Sequence, residues 1–150
     1  MDRAFIAENS AERQRLFAIT GKLTAKDLAR QFSNGWSVAD TLVHLAFWDS
    51  YALSALREWE KSGFRASTSF NESTSSVNMI NEGVRVLSQS IAANAAVSLA
   101  RDAAEAADLE MERITPELIA ALEAGEQPWF LNRAEHRNLH LNKIQNELGL

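Results

Sequence analysis

The sequence predicts an all-α protein, an antiparallel bundle of four main helices with short accessory helices. Three observations carry that expectation. Apolar residues recur every three or four positions over long segments, as one face of a helix requires. No segment alternates apolar and polar residues in the manner of a half-buried strand. Six glycines and two prolines in 150 residues leave little to interrupt helices. That length suits one domain, residues 1–150, and no internal repeat divides it.

The elements follow in order. The first helix is expected over residues 3–19, with Phe5, Ile6, Leu16, Phe17 and Ile19 as its apolar members and Gly21 as its stop. A short helix follows Thr24, where Thr-Ala-Lys-Asp resembles a capping box with Asp in the acidic place. Asn34-Gly35 marks a turn. Ser37 as N-cap and Asp40 at N3 then open a long helix that runs to Lys61 and stops at Ser62-Gly63. Val38, Leu42, Leu45, Leu53 and Leu56 form one stripe of it, while His44, Phe47, Trp48 and Tyr51 lie on another side. A helix apolar over so much of its circumference should be central.

Residues 64–76, rich in Ser and Thr, read as a loop. Val77, Ile80, Val84 and Leu87 carry a helical period over residues 76–89, and an alanine-rich segment covers 94–114. The break between them is weak, so one helix or two both fit. Thr115-Pro116-Glu117 restarts a helix, with a capping threonine before proline at the first position. Residues 125–128 form a connection, and the last helix spans about 132–148.

Composition excludes several function classes. The net charge is −5, and the fifteen basic residues form no dense run, which argues against a nucleic acid or an anionic membrane as partner. The N-terminus is too polar for a signal peptide, and no run of about 20 apolar residues could span a membrane. A cytoplasmic location is the expectation. Cysteine is absent, so thiolate zinc sites and cysteine nucleophiles are ruled out, and any thiol chemistry must use an external thiol.

The chain has three histidines, and their placement is its main chemical signal. His136 and His140 stand four apart, on one face of the last helix. His44 lies far upstream on the long helix beside Trp48 and Tyr51. If those helices face each other, three neutral imidazoles can meet around a divalent metal and leave a coordination position open. The plain alternative is two surface histidines and one core histidine. Zinc-protease chemistry is disfavoured, because that motif needs Glu directly after the first His, and Arg137 stands there.

Neighbouring groups have competing roles. Asp49 falls within the apolar stripe, where an arginine partner such as Arg13 or Arg101 would relieve its desolvation. It is about 140° around the helix from His44, which argues against a shared ion. Asp40 could orient His44, although its capping role accounts for it more simply. Arg133, with Trp129 before it, is either a substrate-carboxylate ligand or a solvated surface arginine. The acidic second half of the 94–114 segment reads as a solvated face.

Gly35-Trp36-Ser37-Val38-Ala39-Asp40, followed by His44-Leu45-Ala46-Phe47-Trp48-Asp49, resembles the first ligand segment of the DinB/YfiT-like superfamily of four-helix-bundle metalloenzymes. Residues 133–144, with His136-x-x-x-His140, resemble its closing segment. That group includes the N-terminal domain of mycothiol-dependent maleylpyruvate isomerase and the bacillithiol transferases. The specific motifs cover about thirty residues, although the layout spans nearly the whole chain.

The resemblance implies that His44, His136 and His140 bind a divalent metal, Zn or Ni, and that a low-molecular-weight thiol is a cosubstrate. It implies transfer of that thiol to an electrophilic small molecule held near Trp48 and Arg133, and a homodimer. With the sequence ending at Leu150, the isomerases' additional C-terminal domain is not expected, nor is isomerase activity itself. The alternatives are a non-catalytic bundle that sequesters a small molecule and a hydrolase using metal-activated water.

Overall fold

A computed structural model describes residues 3–64 and 74–150. Among these residues the chain forms α1 (Ala4–Thr20), α2 (Ala25–Leu28), α3 (Val38–Ser62), α4 (Thr74–Ser88), α5 (Ala93–Arg113), α6 (Pro116–Ala124) and α7 (Ala134–Leu148). A single 3-10 turn, Pro128–Phe130, precedes α7. The only β pairing among the described residues is one isolated bridge between Gln31 and Ser37, so the protein is all-α there. No helix among them is long and apolar enough to cross a membrane.

Local chemistry explains most boundaries. Ser37 Oγ accepts from the Asp40 amide, and the Asp40 carboxylate accepts from the Ser37 amide, a reciprocal box that starts α3. Thr24 and Asp27 make the same box for α2. Thr115 caps α6 through the Leu118 amide, with Pro116 in its first turn. Gly63 ends α3 at φ +79°, a backbone state that favours glycine. Residues 65–73, most of the Ser/Thr-rich stretch expected as a loop, lie outside the described residues. α4 opens at Thr74, two residues before its apolar period.

The open question about residues 76–114 is resolved as two helices. Ser90 and Ile91 amides turn back onto the Leu87 and Ser88 carbonyls, and the buried Ser88 hydroxyl bonds Arg85 O and Asp40. Leu87, an expected member of the α4 apolar period, is exposed to solvent, and Leu53 on α3 is only half-buried.

α3 is central, as its circumference implies. It contacts α2, α4, α5 and α7, while α1 contacts α5 and α7. Ala96, Ala100, Ala103, Ala104 and Ala107 are all buried on α5, and such small side chains let α3 approach closely. Two apolar clusters result. One gathers Leu16, Leu42, Leu45, Ala100, Leu141 and Ile144; the other gathers Leu56, Met111, Ile119, Leu122 and Phe130. Each fully buried leucine contributes roughly 1.5–3 kcal/mol. Asp49 on α3, and Arg133 and Arg137 at the start of α7, fall between the two clusters, Asp108 on α5 lies beside Ala107 at the edge of the second, and all four are buried.

Candidate metal centre

α3 and α7 bring the three histidines together. His44 is buried, and His136 and His140 are half-buried. Their ring centroids lie 5.1 Å apart for His44–His136, 4.6 Å for His44–His140 and 4.8 Å for His136–His140. One nitrogen from each ring falls within 4.8 Å of the others, a group that could hold a metal ion. His44 Nε2 and His136 Nε2 are 3.1 Å apart. Two nitrogens bound tetrahedrally at zinc distances stand about 3.3 Å apart, so donor type and spacing both fit an ion.

Electrostatics keep the rings neutral, the form that ligates. Burial, then the charges of Arg133 and Lys143, lowers His44 to about 4. Burial, then His44, Lys143 and Arg133, lowers His140 to about 3. His136 is held well below its ordinary value by burial and by Arg133.

Arg133 sets the tautomer of His136. Its NH2 group donates to His136 Nδ1 at 2.8 Å. A neutral His136 that accepts at Nδ1 carries its proton on Nε2, where it can donate to His44 Nε2. His44 then carries its proton on Nδ1, the nitrogen that is buried with no hydrogen-bond partner. Ligation through Nε2 of a neutral His136 requires that proton to move to Nδ1 and the Arg133 NH2 group to give up its bond there.

A buried charge network supports this wall. Arg133 Nε and Arg137 Nε each donate to a different oxygen of Asp49 at 2.9 Å. Arg137, fully buried, also donates to Asp108 Oδ1 at 2.8 Å and to the Asn9 and Ala104 carbonyls. Arg13 Nε approaches Asp108 Oδ2 at 3.3 Å without the alignment of a hydrogen bond. Asn9 on α1 fixes the start of α7. Its side-chain oxygen accepts from the Arg133 and Ala134 amides, and its Nδ2 donates to Leu131 O.

Several expectations are corrected here. Asp49 is paired to Arg133 and Arg137, not to Arg13 or Arg101; Arg101 instead bonds Thr20 and the Phe17 carbonyl. Asp40 caps α3 and receives the Ser88 hydroxyl, leaving His44 Nδ1 unpartnered. Arg133 is no solvated arginine: it is 2% exposed, with Asp49, His136 and the Trp129 carbonyl as acceptors. Asp108 is not on a solvated face but 3% exposed against Arg137.

Asn9, Arg137, Asp108 and Asn81 were missed. Asn9 lies one turn after Phe5 on the buried side of α1, and Asp108 continues the buried stripe Ala100–Ala104. A polar residue on an apolar stripe is the signal that marks both.

Two cavities reach the histidines. One, of about 800 Å³, is lined by polar groups including Asn34, Trp36, Asn78, Lys143 and Asn146. The other, of about 500 Å³, is walled by Trp48, Val77, Trp129 and Leu139, with Arg133 and His136. His44, Asn81 and His140 belong to both. Trp48 donates its indole N–H to Asn81 Oδ1 at 2.9 Å, which ties α4 to α3 at this shared wall. Trp48 and Trp129 meet edge-to-face at 6.1 Å, and the Arg133 guanidinium lies 5.4 Å from the Trp129 ring.

No family model, curated protein or solved structure matches the chain.

Proposed function

We propose that this protein is a divalent-metal-dependent enzyme that transfers a low-molecular-weight thiol to an electrophilic small molecule. The observation that carries the reading is the convergence of three neutral imidazoles from two helices at the edge of two cavities. Three protein ligands leave a position open for a reactant. The resemblance of the two histidine segments to DinB/YfiT-like proteins supports the same assignment, and a chain without cysteine needs its sulfur nucleophile from outside.

A Zn or Ni ion held by His44, His136 and His140 would supply a Lewis acid that favours the thiolate form of the cosubstrate. The sulfur forms a bond to the substrate carbon; the leaving group departs with the bonding pair and takes up the proton released by the thiol. Trp48 and Trp129 hold the electrophile by apolar contact and exclude water from it. Arg133 borders the same space with its charge already answered by Asp49, so it offers a substrate a hydrogen bond rather than an ion pair. Asp49 and Arg137 keep Arg133 in place. We also read α1, α3, α5 and α7 as an antiparallel four-helix bundle; the contacts of α1 with α5 and α7, and of α3 with the same two, support a closed ring of four.

Metal analysis of protein purified without an affinity tag tests the reading, beside the triple variant His44→Ala/His136→Ala/His140→Ala. About one divalent ion per chain, lost in the variant, is expected. Failure of the wild type to hold or take up Zn or Ni would overturn it. A second reading, a metal-free bundle that sequesters a small molecule, is favoured by one observation. The Arg133–His136–His44 contacts give both nitrogens of His136 a partner without an ion.

A further inference from the structure

The two cavities differ in kind. The larger one opens between the α2–α3 connection, α4 and the end of α7, and polar side chains dominate its wall. Asn34 and Asn81 each spend their oxygen inside the protein, on the Trp36 amide and the Trp48 indole, which leaves their NH2 groups as donors. Asn78 and Asn146 add donors and acceptors of their own. Its two acids are already matched, Glu82 by Arg85 and Glu147 by Arg30 at 2.9 Å. Lys143 has no acid partner among the described residues. The described wall therefore has one cation in excess and many neutral hydrogen-bonding groups. The smaller cavity offers indole faces and aliphatic side chains, and Arg133, the one cation among its described lining residues, is ion-paired with Asp49.

We infer that the histidines stand where two binding bays of opposite chemistry meet: a polar bay that takes a hydroxyl-rich carboxylate against Lys143, and an aromatic bay that takes a neutral apolar molecule between Trp48 and Trp129. The inference rests on the transfer reaction proposed above for its meaning, since two reactants must reach one centre from separate sides. His44, Asn81 and His140 form the partition, because among the described residues they alone line both bays. The polar bay selects by hydrogen bonds and one charge, which reject an apolar molecule through unpaired groups. The aromatic bay selects by area and shape, so it tolerates a range of apolar molecules.

The four tryptophans give a direct test. Trp36 lines the polar bay, Trp48 and Trp129 line the aromatic bay, and Trp59 is buried in the core away from both. Their indole N–H signals, assigned by single Trp→Phe variants, are followed in 15N–1H spectra during titration with glucuronate, glucose or toluene. Glucuronate is expected to move Trp36 and leave Trp129 and Trp59 unchanged; toluene is expected to move Trp48 and Trp129 and leave Trp36 unchanged. Added together, the two probes should give both sets of shifts at unaltered affinity. Lys143→Gln, at an exposed site, should weaken glucuronate roughly two- to fivefold and leave glucose unaffected.

Competition between the probes, a common set of shifted indoles, or no shift with either probe would overturn the inference. Glucuronate binding that is indifferent to Lys143→Gln would overturn the assignment of the polar bay. Neither probe carries a thiol or a leaving group, so the titrations are run on protein with and without zinc. Protein that refuses metal yet shows both sets of shifts would defeat the enzyme reading and leave the two bays standing. The converse result would do the opposite.

Discussion

Asp49→Asn removes the only carboxylate among the described residues that bonds Arg133, and its cost can be worked from the contacts. Asp49 is 1% exposed and receives two charged N–H groups at 2.9 Å, from arginines whose side chains are 3% and 0% exposed. After the substitution Arg137 keeps Asp108 and two carbonyls. Arg133 keeps only neutral acceptors: the Trp129 carbonyl, His136 Nδ1 and the amide oxygen of the new side chain. One buried guanidinium thus loses its counter-charge, a change that costs about 3–5 kcal/mol.

The exposed pair Arg30–Glu147 has the same 2.9 Å separation, but its arginine side chain is 59% exposed. Breaking it by Glu147→Gln should cost less than about 1 kcal/mol. Burial, rather than distance, sets the difference. Urea unfolding of both variants at neutral pH, followed by circular dichroism, measures it. An Asp49→Asn loss within about 1 kcal/mol of the Glu147→Gln loss would refute the reasoning. The double variant Asp49→Leu/Arg133→Met should recover part of the loss, because no unpaired charge then remains buried.

Further outcomes are expected. His140→Ala should abolish metal binding and turnover at little cost in stability, since His140 is half-buried and ring contacts are its main interactions; unchanged metal content would count against the site. In metal-free protein, burial first of all holds His44 at about 4 and His140 at about 3, while both sit near 6.5 in the unfolded chain. The unfolded chain therefore takes up protons first. Stability is complete above pH about 6.5 and declines toward pH about 4, by up to about 1.4 kcal/mol per pH unit per histidine. Urea midpoints that stay constant across that window would contradict this. Ser37→Ala should cost about 1 kcal/mol through the lost cap of α3, read from the same unfolding curves.

The fold was legible where the signal is local. The Ser37–Asp40 box, Gly63 and the Thr115–Pro116 start each define an end of a helix from a few adjacent residues, and each stands where the sequence places it. The histidine site was legible because i, i+4 spacing fixes two of its members on one face, and the broad apolar surface of α3 marks that helix as central. The partners of Asp49 were not. Helical spacing shows that Asp49 is buried but not which helix it faces, so Arg13 and Arg101 were as eligible as Arg133 and Arg137. The cavities were hidden for a related reason. Their walls join residues near 34, 80 and 143, and only the assembled helices place these side by side.

Asn9 carries a consequence for the order of assembly. The Arg133 side chain does not cap α7; the Arg133 and Ala134 amides both donate to Asn9, some 125 positions earlier, and the Ala134 amide also donates to Asn132. Asn9 on α1 thus helps to set where α7 starts, and with it the placing of His136 and His140. During synthesis α1 is made early and waits, its amide without a client, until residues 131–134 have emerged. A nascent chain that already displays His44 has no partner rings to offer it, so the centre is completed in one late step. A defect in α1 far from any imidazole would then disturb the start of α7 and, with it, the placing of His136 and His140.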